Sequence, residues 1–388
     1  MRTDCSPTDF LKTAAHTAEH FGFKSIDALK KDPTCKQCHT SLPNTFASTE
    51  TSIDNLNGLL TNGVRTYCDA QLHAFDSPVF MYGSEAVPET GETAVTFHIF
   101  NVQKSIAEAI LIHTTHTLMR ELGHTNHIVK INSLGDNDSL LRYSREVTTF
   151  LRKRIDTLPT EARELMKEHP LLALQHIIDT DHDLSARAPN PLEFLSDQSR
   201  KHFRDIIEYL DMSETPYEID TKMLGHHECY SDALFSITTD TEHANSITVG
   251  GGRFDTFMFR KTSRNTGAVG AVAILKNKPA PTRAPRFKLK APSVYVIQLG
   301  FGPKIRSLLL IDELRKAGIA THQDLANDSL SAQLRDAEQR DVKYVAIIGQ
   351  KEFVEGTVIV RDMHARKQEP IPYTQLIRRL KRNVPVTS

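Results

Sequence analysis

The sequence has no tryptophan, only five cysteines and no excess of charge of either sign. Its 388 residues carry 47 basic and 48 acidic side chains, so any contact with nucleic acid must come from local basic patches. No apolar run reaches the ~20 residues that span a bilayer, and the start MRTDCSPTDF lacks the apolar segment of a signal peptide. We therefore expect a cytoplasmic protein of two or three domains.

The cysteines are odd in number and scattered, which does not indicate a disulfide framework. They are Cys5, Cys35, Cys38, Cys68 and Cys229. The segment PTCKQCH, residues 33–39, matches the C-x-x-C-H pattern of haem attachment and also part of a zinc site. Haem attachment requires export, for which there is no signal. We expect thiols without a metal; the zinc alternative would use Cys35, Cys38 and His39, joined by Cys5 or Cys68.

The most informative stretch is SITVGGGRFDTFMF, residues 246–259. Its β-branched start predicts a strand that ends on Gly250, Gly251 and Gly252, where a backbone can approach a bound group without a Cβ in the way. Arg253 and Asp255 follow at once. A guanidinium beside a carboxylate suits a carboxylate or phosphate ligand, but an internal ion pair in a tight turn explains the same residues.

This stretch resembles the GGGR(Y/F)D signature of class II histidyl-tRNA synthetases, in which it lines the histidine and adenylate pocket. The resemblance extends over residues 10–380 and includes INSLGD, APNPLEFL and the segment MLGHHECYSDALFSI, which keeps Tyr230 and Phe235. It implies an α/β (α+β) fold: a class II antiparallel-sheet core and a C-terminal α/β anticodon-binding domain. The implied boundaries are a core at 1–277 with a helical insertion at about 137–212, a linker at 278–293 and the anticodon-binding-like domain at 294–388.

The sequence departs from the family pattern where the family contacts ATP and histidine. Gly58 stands near the place of the glutamate that holds the amino group of histidine, and no arginine occurs between Arg65 and Arg120. The family's catalytic arginine is missing around Gly225 and His226, and Asn277 replaces the arginine of its last motif. Each lost phosphate-directed group would cost about 3 kcal/mol in the transition state. The strand–loop–strand motif at 78–103 still keeps Glu85 and His98.

Three local predictions concern other segments. His226 and His227 are adjacent on what reads as an extended strand, where neighbouring side chains point to opposite faces, so we do not expect them to share a metal. The small apolar run at 268–275 is explained by an ordinary buried helix. Residues 105–123 predict an amphipathic helix that ends at Gly123.

The C-terminal part begins after a basic, proline-rich linker at 278–293. Its charges either contact RNA phosphate or face solvent between domains. From residue 294, alternating strand and helix patterns predict an α/β unit around a mixed sheet. By resemblance, this unit is an anticodon-binding domain. The tRNA candidates are Arg283, Arg286, Lys288 and Lys290 of the linker and Lys351, Glu352 and Arg361 of the unit.

Together these features predict a histidyl-tRNA synthetase-like protein without normal aminoacylation, which binds tRNA or a protein partner and forms a homodimer. One alternative is an active, divergent ligase for histidine or another acid, which would need ATP and Mg²⁺ and would use Lys276, His226 and Arg253. Another is a regulatory subunit like the activator of ATP phosphoribosyltransferase, which usually lacks the anticodon domain. Catalytic residues stay unassigned. The ligand-pocket candidates are Tyr230, Phe235, Gly250, Gly251, Gly252, Arg253, Asp255, Glu85 and His98.

Overall fold

The computed structural model describes residues 5–26, 29, 55–74, 78–239, 246–281, 291–325 and 327–382. The zinc candidates Cys35, Cys38 and His39 lie outside these ranges, as do the linker residues Arg283, Arg286, Lys288 and Lys290. Within the described ranges, no helix combines the length and apolarity needed to cross a membrane.

The larger of two sheets has eight strands in the order β1-β2-β3-β8-β7-β6-β4-β5. These strands are β1 Lys24–Ser25, β2 Val79–Ala86, β3 Glu92–Phe100, β4 Val129–Gly135, β5 Tyr217–Ile219, β6 Asp232–Thr238, β7 Ile247–Arg253 and β8 Ala268–Pro279. All neighbours run antiparallel except the outer pairs β1–β2 and β4–β5. This order places the glycine-bearing strand β7 near the middle of the sheet.

Eight α-helices lie in the part of the described chain that contains the larger sheet. They are α1 Pro7–His20, α2 Asn55–Asp69, α3 Ile106–Glu121, α4 Asn137–Arg152, α5 Thr160–Glu168, α6 Pro170–Asp179, α7 Asp197–Met212 and α8 Asp255–Thr262. α1, α3 and α7 share one apolar cluster with the sheet, while α2 packs in the clusters of the opposite face. α3 is buried from Ile106 to Met119. The predicted helix is present, but it is buried on all sides over that length rather than amphipathic.

The INSLGD segment forms the predicted strand, turn and helix start. Asp136 caps α4 by accepting a hydrogen bond from the backbone N–H of Ser139 at 2.9 Å. Gly135 adopts a φ of +72°, and a Cβ there would come within 2.5 Å of Ser139. A second serine, Ser196 at the N-cap of α7, donates to Asp136 at 2.6 Å. The segment therefore joins the sheet to two helices of the predicted insertion.

The smaller sheet has five strands in the order β10-β9-β11-β12-β13. Its elements are β9 Val294–Gln298, α9 Phe301–Lys316, β10 Thr321–Gln323, α10 Leu330–Gln339, β11 Tyr344–Ile348, α11 Gln350–Glu355, β12 Thr357–Asp362, β13 Lys367–Pro372 and α12 Tyr373–Lys381. The first three strands in the order run parallel, and β12 and β13 run antiparallel. The predicted mixed α/β sheet is confirmed, although the sequence did not predict β13.

The prediction of a buried helix at 268–275 is wrong, because these residues lie in β8. Every residue from Ala268 to Leu275 is buried, since helices cover both faces of the sheet. A central strand covered on both sides shows a continuous apolar run rather than alternation, and such a run does not distinguish strand from helix.

The two sheets pack together through α1, α3 and α9. Arg315 of α9 donates to Glu121 of α3 at 2.9 Å. His20 at the end of α1 contacts the carbonyl oxygen of Ile311 at 3.2 Å, and its own carbonyl accepts from Gln323 at 3.1 Å. Side chains of both units also share one apolar cluster, so the C-terminal unit lies against the core rather than apart from it.

Candidate ligand pocket and nucleic-acid interface

One face of the central sheet carries the glycines at which the sequence predicts a ligand. Leu234, Gly252, Gly270 and His98 are direct partners across four neighbouring strands, so their side-chain positions share a face. Gly250 lies on the same face, because it is two residues from Gly252. A Cβ on Gly252 would approach the backbone oxygen of Ala233 to 2.6 Å. The glycine is therefore required by close packing within the protein itself.

Helix α2 covers this face with apolar side chains. Leu59 and Leu60 are only 2% and 3% exposed, and they belong to one cluster with Leu234 and Tyr230. The Cδ2 atom of Leu60 lies 2.8 Å from where a Cβ of Gly270 would stand. In this glycine row of Gly250, Gly252 and Gly270, Leu60 thus packs against Gly270, and the ring of Tyr230 lies 2.9 Å from where a Cβ of Gly252 would stand.

His98 is fully buried under the same helix. Its Nε2 atom lies 3.2 Å from the carbonyl oxygen of Leu60, and a Cβ on Gly63 would overlap its ring. Burial lowers the pKa of His98 to about 4. Glu85 of β2 is half-buried and accepts from Asn62 of α2 at 2.6 Å. Both predicted pocket residues therefore hold α2 against the sheet.

Other predicted pocket residues lie on the opposite face. Gly251 pairs with Phe235 and Ala271, and Arg253 points to the same side as Gly251 because side chains alternate along a strand. Phe235 and Ala271 belong to the cluster that includes α1 and α3. The residues predicted for one pocket are thus divided between two faces, which the glycine-rich motif alone does not reveal.

Arg253 is buried, with 1% of its side chain exposed, and binds Glu108 of α3 through two hydrogen bonds of 2.7 Å. It also donates to Asp255 at 3.2 Å and to the carbonyl oxygens of Val102 and Lys104. A guanidinium has five N–H donors, and these contacts use all of them. A ligand would have to break one of these bonds to reach Arg253.

Each charged side chain of this network lies beside one of opposite charge: Glu108 lies beside Arg253 and His202, and Asp255 beside Arg253. Burial by itself raises the pKa of Glu108, but Arg253 and His202 more than offset it and lower the pKa to about 2. Burial acts to lower the pKa of His202, yet the Glu108 carboxylate 2.7 Å away raises it overall. Burial raises the pKa of Asp255, although Arg253 opposes the shift. The predicted Arg253–Asp255 ion pair is present, at the end of a larger buried network.

Lys276 does not lie near Arg253. It forms a 3.6 Å ion pair with Glu92, whose carboxylate also accepts from the backbone N–H of Asn277. Arg253 pairs with Val269 near the other end of β8, roughly 23 Å along the strand from Lys276 at 3.3 Å per residue. Lys276 and Arg253, two of the side chains named for an active divergent ligase, therefore do not lie in one site.

The prediction that His226 and His227 point apart on an extended strand is wrong. β6 begins only at Asp232, and the two histidines lie in the preceding turn with their ring centroids 5.1 Å apart and nearly parallel. His169 stacks on His227 at 4.1 Å. Burial and the neighbouring imidazoles lower the pKa of His227 to about 4. Among the residues that the structure describes, no group of three or more His, Cys, Asp or Glu side chains could hold a metal ion.

In the C-terminal unit, the three described tRNA candidates have different surroundings. Arg361 is half-buried on β12, between Val345 of β11 and Gln368 of β13. Glu352 accepts from the backbone N–H of Gly349 at 3.0 Å and thereby caps α11. Lys351 is 76% exposed. Of the three, Lys351 and Arg361 present donors at or near the surface of this unit.

Comparison with known proteins agrees with both parts of the fold. Residues 294–383 match the anticodon binding domain family. The histidine–tRNA ligase of Geobacillus sp. WCH70 is 29% identical over 68% of this chain and 64% of its own length, and that of Bacillus licheniformis is 26% identical over 83% and 80%. The crystal structure of apo histidyl-tRNA synthetase from S. aureus aligns over 82% of this chain and 80% of that chain, with 17% identity and a TM-score of 0.45.

The fold is thus that of a class II synthetase core joined to an anticodon-binding domain. More narrowly, the chain is similar over most of its length to histidine–tRNA ligases, at 26% to 29% identity. Its alignments with the first curated relatives span slightly less than two thirds of their length, 62% to 64%.

The sequence reasoning missed Glu108 and His202, the buried partners of Arg253. A signal was present, because Glu108 is the one acidic side chain in the run IAEAILIHTTHTLM. A lone carboxylate in a helix buried on all sides requires a buried cation. The cation itself, 145 residues further along the chain, could not be assigned from the sequence.

Proposed function

We propose that this protein binds tRNA and does not adenylate histidine at a normal rate. The observation that carries the proposal is the packing of Leu60 against Gly270 and of Tyr230 against Gly252, where the family resemblance implies the histidine and adenylate pocket. The sequence lacks any arginine from 66 to 119. A histidine adenylate would therefore meet Leu60 and Tyr230 at these glycines, and too few guanidinium groups. Since a preorganised donor contributes about 3 kcal/mol to the transition state, adenylation would be slowed by several orders of magnitude.

tRNA binding is proposed for the C-terminal unit. Its match to the anticodon binding domain family supports this, and Arg361 and Lys351 are the described side chains that would contact the RNA. The linker residues Arg283, Arg286, Lys288 and Lys290 would neutralise phosphates beside it. Such contacts release counterions, so affinity should fall steeply with salt. We also propose a cytoplasmic homodimer, as cyclic dimers are the commonest assemblies.

The first experiment measures histidine-dependent ATP–pyrophosphate exchange and tRNA filter binding on the same sample of the purified chain. We expect no exchange above background and salt-sensitive tRNA binding. Exchange at a rate typical of synthetases would instead establish a divergent ligase. If neither signal appears, the proposed function is contradicted and a protein partner becomes the better hypothesis.

A second measurement tests the proposed RNA surface. Arg361→Gln should weaken tRNA binding about tenfold and lower the slope of log affinity against log salt, because one phosphate or base contact is lost. Lys12→Gln, which removes an exposed charge from α1, is the matched control and should bind like the wild type. Equal affinities of the two variants would exclude Arg361 from the interface.

A further inference from the structure

A cavity of about 260 Å³ lies between α6 and the turn that precedes β6. Its lining includes none of the glycines of β7 and β8, and of its residues only His226 has been named above as a functional candidate, for a divergent ligase. Leu171, Leu172, Met223 and Leu224 form its apolar lining, and Gln175, Asp179, His226 and His227 supply its polar groups. Apolar walls with a few polar groups are typical of small-molecule sites.

One side of this cavity is formed by stacked imidazole rings. Stacked in series are the rings of His169, His227 and His226. The ring centroids of His169 and His227 are 4.1 Å apart at an interplanar angle of 19°, and those of His227 and His226 are 5.1 Å apart at 21°. His226 is the last ring of the series and lines the cavity. Its Nδ1 atom accepts from the backbone N–H of Glu228, which fixes the orientation of the ring. A planar aromatic ligand could extend such a series by stacking on His226.

The polar groups opposite the rings are hydrogen-bond acceptors. Gln175 donates its amide N–H to Asp179 at 2.7 Å, which orients the amide, and its carbonyl oxygen is buried with no hydrogen-bond partner among the described residues. The Asp179 carboxylate accepts as well. These groups favour a ligand edge that carries N–H donors.

The lining also limits the charge and size of a ligand. None of the described residues that line the cavity is a lysine or arginine, so nothing there would neutralise a phosphate. Ordinary ligand pockets hold about 300–1,000 Å³. The cavity therefore suits one ring system rather than a whole nucleotide.

We propose that this cavity binds a nucleobase, which stacks on His226 and donates from its exocyclic amine to the Gln175–Asp179 pair. The base can belong to a free nucleoside or to an unpaired nucleotide of an RNA. This inference stands apart from the proposed function, because it depends neither on the anticodon-binding domain nor on the loss of adenylation.

The test uses 2-aminopurine riboside, whose fluorescence is quenched when it stacks. The chain has no tryptophan, so the protein adds little background. We expect saturable quenching that adenosine reverses by competition. His226→Ala and Gln175→Leu should each weaken binding about tenfold, since base stacking and an oriented acceptor contribute on this scale. His176→Ala is the matched control on the same helix, since His176 does not line the cavity.

Thermal melts of each variant show whether it remains folded. Absence of saturable quenching by the wild type would overturn the proposal. Unchanged affinity in both folded variants would also overturn it. ATP binding more than tenfold tighter than adenosine binding would do the same, because the lining offers no contact for phosphate. If a single-stranded oligoadenylate competes better than adenosine, the base comes from RNA; equal or weaker competition assigns it to a free nucleoside.

Discussion

Arg253 shows how a charged side chain of a glycine-rich motif can stabilise the core. Its guanidinium joins β7 to α3 through Glu108 in a region closed to solvent. Removing one partner of a buried ion pair leaves the other charge without compensation, which is far costlier than never having the pair. The motif around Arg253 is therefore explained by folding without a ligand.

Replacing Arg253 tests this explanation. Arg253→Met should lower the free energy of unfolding by about 3–5 kcal/mol, because it leaves the Glu108 carboxylate buried and unpaired. The double variant Arg253→Met with Glu108→Leu should recover much of that loss. Urea denaturation measures both, and a single variant as stable as the wild type would contradict the role given to Arg253.

At the scale of elements, α2 is the helix that packs against the glycine-bearing face of the central sheet. It presents Gly63 to His98 and Leu60 to Gly270, so helix and sheet approach closely at two points. The approach depends on small residues on one side of each contact.

Two glycines of α2 provide a matched pair of substitutions. Gly63→Ala should destabilise the protein by roughly 1–3 kcal/mol, because its Cβ would overlap the His98 ring and force the helix or the imidazole to shift. Gly58→Ala meets nothing within 4 Å and should stabilise by about 0.5–1 kcal/mol through helix propensity. Thermal unfolding compares the two. Equal effects would show that α2 does not pack as described.

At the scale of the whole molecule, the two units meet at a histidine-rich interface. His20 is buried against α9, and burial and then Arg315 lower its pKa to about 3. His113 of α3 packs edge-on against Phe21, and burial lowers its pKa to about 4. The charges facing His113 are Arg120 of α3 and Asp312, Arg315 and Lys316 of α9. Both imidazoles are neutral in the folded state at neutral pH.

This interface predicts loss of stability in acid. An unfolded histidine titrates near pH 6.5, so between pH 6.5 and 4 the unfolded chain binds more protons at His113 and His20, and stability falls as the pH decreases. Each group contributes about 2 kcal/mol between pH 7 and pH 5. Urea denaturation at the two pH values measures the loss.

A variant separates this effect from general acid denaturation. His113→Leu should lose about 2 kcal/mol less than the wild type between pH 7 and pH 5, because it removes one group that must stay neutral. His364→Leu, at a position 65% exposed, should show the wild-type loss. If His113→Leu keeps the full pH dependence, the buried histidine does not account for it.

Much of the fold could be predicted because its local signals agree with its tertiary structure. The INSLGD turn is set by Asp136 and Gly135, whose capping and positive φ are local properties, and the C-terminal strands and helices follow the alternation of their residues. β8 was mispredicted because burial on both faces removes the alternation that identifies a strand. The histidine turn was mispredicted because Gly225 has a φ of +61° and so departs from an extended backbone. His226 and His227 follow it directly, before β6 begins at Asp232.

By itself, the sequence determined the fold class, the resemblance to histidyl-tRNA synthetases and the absence of arginine between Arg65 and Arg120, since these depend on motifs, their order and residue identity. Only the tertiary structure decided which face each motif residue occupies. Gly252 and Arg253 are neighbours in the chain, yet one faces Tyr230 and the other is paired with Glu108 of α3. The physical reason is that a strand sends successive side chains to opposite sides of its sheet, and only the folded chain shows which helix covers each side.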